Sequence, residues 1–142
     1  MIIGEKYLLP LIHTLREEYP AISLELYLND DPVDLLAQEI DIAIRIGHLP
    51  DSSLMARKIC DKRLGWFASP DYLKKHGTPV TPDDLTEHQC IIFKNQSITL
   101  DHWSFKQDNG DIIKVRAQNN IATDNGHALV EMARLGLGVI MI

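Results

Sequence analysis

One stretch, Ile22 to Ile46, constrains the fold more than any other. Ile22, Leu24, Leu26 and Leu28 alternate with Ser23, Glu25 and Tyr27, the period of a half-buried strand. Then come Asn29, Asp30, Asp31, Pro32, Val33 and Asp34. Asp31 suits an N-cap, Pro32 the first helical position and Asp34 the positive end of a helix. A second alternating run, Asp41–Ile46, follows that helix. Strand, helix, strand in so short a span predicts parallel strands joined by a right-handed crossover, hence an α/β chain.

The flanks extend the pattern. Leu8, Leu11, Ile12, Leu15 and Tyr19 recur at helical spacing, predicting a helix over about Tyr7–Glu18, with Pro10 in its first turn and Pro20 as its stop. A turn at His48–Ser53 and strands near Leu54–Ile59 and Leu64–Ser69 come next. After Pro70 the pattern restarts. "DYLKKHG" is a short helix closed by Gly77. Thr81, Pro82, Asp83 and Asp84 repeat the cap logic. "CIIF" is a strand, and "WSFKQDNGDIIKVRA" is a hairpin turning at Asn109-Gly110. Asn119–Thr123 leads into a helix over Gly126–Leu135. Gly136 ends that helix, and an apolar strand, Gly138–Ile142, follows. Two small α/β units joined by crossing strands make a cleft, and ligands of such sheets bind outside the carboxyl ends of the strands.

The remaining bounds are negative ones. A net charge of −6 is the wrong sign for gripping nucleic acid through its phosphates. No apolar run approaches the ~20 residues that span a bilayer. Cys60 and Cys90 read as buried, reduced thiols rather than a disulfide. Both ends look cut, so the chain reads as part of something longer. No phosphate loop, nucleophile elbow or dinucleotide fingerprint is present. Gly136-Leu137-Gly138 reads as a helix cap and strand entry. His13, His48, His76, His88, His102 and His127 follow no metal spacing, and no carboxylates pair as a general acid and base. No catalytic residue, metal or cofactor is expected.

Arg45 interrupts an apolar strand, and two readings stand. It points to the polar face and pairs with an acid such as Asp41, or it faces the cleft, where its fork of donors suits a carboxylate. Asn29 and Asp30 lie between a strand and a helix start. Thr123, Asp124 and Asn125 hold the equivalent place in the second unit. Both clusters read as N-caps and as residues at the cleft mouth.

The run Asp41–Leu54, "DIAIRIGHLPDSSL", resembles the effector-binding domain of LysR-type transcriptional regulators. So does "ASPDYLKKHGTPVTPDDLTEHQCIIF", whose matching positions are Ala68, Ser69, Pro70, Tyr72, Leu73, His76, Gly77, Pro79, Pro82, Asp84, Leu85, His88 and Cys90. Trp103 and the late "NGHALVEMARLGLGVIMI" are similar as well. The resemblance implies a type 2 periplasmic-binding-protein fold: two Rossmann-like subdomains around a cleft, subdomain I (1–69) incomplete and subdomain II (70–142) following. It places the first crossover at Leu64–Pro70 and leads Gly138–Ile142 into the return. A small-molecule effector, an anion by the chemistry of Arg45, would meet Asn29, Asp30, Arg45, Gly47, Thr123 and Asp124. The resemblance also implies a homodimer, with the parent protein a dimer or tetramer. Leu8, Leu11, Ile12 and Leu15 would then pack against Leu129 and Met132 of the partner. DNA would be bound only through a helix-turn-helix absent here. The setting would be cytoplasmic, with no membrane and no enzymatic step. A transporter's solute-binding protein shares the architecture and is the competing expectation.

Overall fold

The computed structural model describes residues 3–29, 33–47, 49 and 51–142. A helical stretch opens the chain, but not at Tyr7. Gly4–Leu8 form a turn of π-helix and α1 runs Leu9–Glu18, with Pro10 in its first turn. The Leu9 N–H reaches back to the Gly4 carbonyl. Pro10 has no N–H for the Lys6 carbonyl and its ring crowds that oxygen, so the preceding turn widens. No residue of α1 is buried.

Three expected strands do not form as such. Ile22–Leu28, Asp41–Ile46 and Leu54–Ile59 carry no ladder among the described residues. Their apolar side chains stay in solvent, Ile42 at 83% and Ile59 at 76% exposure. Alternation specifies which face a strand would bury, not which neighbour covers it. Among the described residues no neighbour is in place. The expected helix after Asp31 is a single turn instead. Asp31 and Pro32 lie outside the described residues. Asp34 supplies the cap, its Oδ1 accepting from the N–H groups of Leu36 and Ala37. Glu39 ends the turn in the left-handed region, φ 52°.

The core lies further along. β1 is Trp66–Phe67, α2 is Pro70–His76, a 3-10 turn covers Pro82–Thr86, and β2 is Cys90–Phe93. The strands β3 (His102–Lys106) and β4 (Ile112–Arg116) form the expected hairpin, with Gly110 at φ 91° in its turn. β5 is Asn119–Thr123, α3 is Gly126–Arg134 and β6 is Ile140–Met141. β2 pairs in parallel with β5 and, on its other side, meets Val139 through a parallel bridge. One residue on, β6 pairs antiparallel with β1. The crossing segments expected at Leu64–Ser69 and Gly138–Ile142 thus lie side by side.

β2 explains why both faces of this sheet are covered. Its period of two sends Cys90 and Ile92 to one side and Ile91 to the other. Cys90 and Ile92 pack with Tyr72, Leu85, Trp103, Val115 and Val139, under α2 and the hairpin. Ile91 packs with Leu129, Ala133 and Ile140, under α3. The helix ends rest on short-range signals. Ser69, expected as the last residue of a strand, caps α2, its Oγ accepting from the Tyr72 N–H at 3.2 Å. Gly77, φ 86°, closes it. Asp84 Oδ2 reaches back to the N–H groups of Val80 and Thr81 at 2.7 and 2.8 Å, and these bonds pull its pKa below the ordinary 3.8. Cys90 is buried, and desolvation pushes its thiol up to about 11. Cys60, expected to be buried, is exposed, because the segment carrying it packs on nothing described.

Candidate functional site

β2 and β5 run the same way and end together. Phe93 pairs with Thr123, and the Lys94 N–H donates to the Thr123 carbonyl at 2.8 Å. Beyond that last rung both strands turn aside and leave an open-mouthed cavity of about 530 Å³. Lys94, Asn95, Gln96, Ala122, Thr123 and Asp124 line it. The place is the carboxyl edge of a parallel pair, where α/β sheets receive ligands, and it is widely open to solvent.

Local hydrogen bonds hold the walls. Asn95 Oδ1 accepts from the N–H groups of Ser97 and Ile98 at 3.0 and 2.7 Å, an Asx turn that fixes the amide. That leaves Asn95 Nδ2 enclosed and without a partner among the described residues. Thr123 Oγ1 accepts from the Asn125 N–H at 3.1 Å, and Asn125 Oδ1 caps α3 by accepting from the Ala128 N–H. Next along α3, His127 Nε2 lies 2.5 Å from Glu5 Oε2, tying the π-turn to the start of α3.

Of the residues expected at the cleft, Thr123 and Asp124 line this cavity. Asn29, Arg45 and Gly47 are not among its lining residues, and Asp30 lies outside the described residues. Arg45 is exposed and its Nη2 donates to the Val33 carbonyl at 2.7 Å. It is paired neither with Asp41 nor with the cavity, because a backbone oxygen stands within reach of its fork. Gly47 turns the chain at φ 108°. His48 lies outside the described residues. Ala122, Lys94, Asn95 and Gln96 were not anticipated. For the last three a signal was available, since they follow the strand "CIIF" just as Asn29 follows "ISLELYL".

The residues expected at a dimer face divide. Leu11 is 62% exposed, and Leu8, Ile12 and Leu15 are half-buried. Met132 is half-buried against its own sheet. Leu129 is 2% exposed and packs beneath Ile91 and Ile140, so its surface is already spent within the chain. Among the described residues no cluster of three or more His, Cys, Asp or Glu side chains could hold a metal. No helix is long and apolar enough to cross a membrane.

Comparisons with known proteins agree on one group. The profile of the LysR substrate binding domain matches residues 1–142. An uncharacterized HTH-type transcriptional regulator of Haemophilus influenzae is 35% identical over 136 residues, 96% of this chain and 46% of that protein. The HTH-type transcriptional regulator CrgA of Neisseria meningitidis serogroup B is 34% identical over 135 residues, 95% of this chain and 44% of that protein. The chain therefore spans under half the length of these relatives. The solved structure of CrgA superposes with a TM-score of 0.84 at 32% identity, covering 100% of this chain and 47% of that one. The full-length Vibrio cholerae virulence activator AphB gives 0.82 at 26% identity, covering 99% and 46%.

Proposed function

We propose, from the premise that this chain belongs to the LysR substrate-binding-domain family, that it is the ligand-sensing part of a transcriptional regulator. The fold is accordingly the type 2 periplasmic-binding-protein kind shared with the regulatory domain of CrgA. The observation that carries the site is the cavity at the ends of β2 and β5, where Thr123 and Asp124 stand beside Lys94 and Asn95. A small molecule enters there. It binds one arrangement of the subdomains, 1–69 and 70–142, better than another and shifts their populations. In the longer parent, a cytoplasmic dimer or tetramer, that shift repositions helix-turn-helix segments on DNA. No bond is made or broken. Asn29, Asp30, Arg45 and Gly47 belong to the opposite wall of the same cleft in this reading. Leu8, Leu11, Ile12 and Leu15 face a second copy. The relatives named above are transcriptional regulators, which favours this reading over a transporter's solute-binding protein.

The test is a metabolite screen by thermal shift, followed by operator-reporter assays of the parent with each hit. A metabolite that stabilises the chain, loses that effect in Asp124→Ala, and changes reporter output supports the reading. Hits indifferent to Asp124→Ala, or without effect on transcription, refute it.

A further inference from the structure

The effector cavity carries two opposite charges that do not satisfy each other. Lys94 and Asp124 both line it. Among the described residues neither side chain takes part in an ion pair within 4.0 Å or in a hydrogen bond. Both side chains are exposed, so a ligand in the cavity meets them as free charges. The cation stands just past the end of β2 and the anion just past the end of β5, on strands joined by the bond from Lys94 N–H to the Thr123 carbonyl.

From this arrangement we infer that the cavity selects a small zwitterion, a molecule with a carboxylate at one end and an ammonium at the other. Lys94 receives the carboxylate, and Asp124 receives the ammonium. The inference rests on reading this cavity as the effector site. Each contact is charge-assisted and therefore among the stronger hydrogen bonds available. A plain carboxylate gains one of them and meets Asp124 as a like charge. A plain amine gains the other and meets Lys94. The selectivity comes from that repulsion as much as from the attraction. Lys94 and Asp124 are thus specificity-determining residues, and an unpaired state in the free chain spares the ligand the work of parting them.

The experiment is a titration of this chain with proteinogenic amino acids, one at a time, followed by backbone amide NMR. For the best of them, the matched acid lacking the amine and the matched amine lacking the carboxylate are titrated too. The expected result is a shift of the Lys94–Gln96 and Thr123–Asp124 amides. Each half-molecule should bind roughly tenfold more weakly or worse, the loss of one charge-assisted contact. Asp124→Asn should bring the acid level with the zwitterion, and Lys94→Met should weaken both. Acids that bind as tightly as amino acids, with Asp124→Asn neutral, would overturn the inference while leaving the site intact. It is overturned in the same way if no amino acid moves these amides but another metabolite does. If nothing moves them, the site reading falls as well.

Discussion

Replacing Gly138 by alanine should destabilise the chain for a reason confined to one place. A Cβ on Gly138 would lie 2.5 Å from the Gln89 carbonyl oxygen, 3.1 Å from its carbon and 3.2 Å from Ile91 Cγ1. Two of these three atoms are backbone, so no rotamer change relieves the clash. The strand carrying Val139 must move off β2. Two hydrogen bonds hold it there, Ile91 N–H to the Val139 carbonyl and Val139 N–H to the Gln89 carbonyl, both 2.8 Å. Losing or stretching both costs about 1 kcal/mol each. Repacking Ile91, 1% exposed, adds about 1 kcal/mol more. The total is roughly 2–4 kcal/mol, a fall in Tm of roughly 10 °C. Equilibrium urea unfolding followed by tryptophan fluorescence measures it, since Trp66 and Trp103 both belong to this core. Gly77→Ala is the control. Its φ is 86° and ψ 166°, a region essentially reserved for glycine, and nothing lies within 4 Å of its Cβ, so only backbone strain of about 1–3 kcal/mol applies. The steric argument is wrong if Gly138→Ala costs no more than Gly77→Ala.

Leu129→Ala should cost about 2–5 kcal/mol, and the loss should not depend on protein concentration, because Leu129 fills its own core; a concentration-dependent loss would return it to an interface. Asp84→Asn should flatten the acid limb of the stability curve. The folded carboxyl titrates below its ordinary 3.8, so its contribution is present above that value and lost as pH falls through the depressed one; an unchanged acid limb in pH-dependent melts would contradict this. An aromatic disulfide reagent should label Cys60 alone in the folded chain and both cysteines in denaturant, since Cys90 is buried with its thiol pushed up to about 11. Rapid labelling of both under native conditions would show that the core around Cys90 opens readily.

The parts of the fold legible in the sequence are those fixed by short-range chemistry. Asn125 before Gly126, and Gly77 and Gly136, set helix ends through bonds within a few residues. The turn at Asn109-Gly110 fixed the hairpin in the same way. The strands expected at Ile22–Leu28 and Asp41–Ile46 depended on a neighbour, and periodicity says nothing about whether one is in place. Arg45 does not line the cavity, for a related reason. Its fork took a backbone carbonyl, that of Val33, which no side-chain pattern reveals. Two of the six lining residues, Thr123 and Asp124, were legible because a polar cluster between a strand and a capped helix marks the edge of a cleft. Lys94 and Asn95 hold the same place after "CIIF", but no helix start stands behind them to mark it.

The pairing of β1 with β6 has a mechanical consequence. Gly65 and Ile142 exchange both of their backbone hydrogen bonds, at 2.9 and 3.0 Å, and Trp66–Met141 and Phe67–Ile140 follow in register. Gly65 and Ile142 therefore stand side by side at one end of an antiparallel ladder. Tension applied through them falls on a single rung at a time, and the ladder unzips at low force. The parallel β2–β5 pair lies beyond the last rung and is sheltered until the zipper has opened. Pulled from those two points, the chain should part first at Gly65 and Ile142, with the walls of the cavity among the last features to yield.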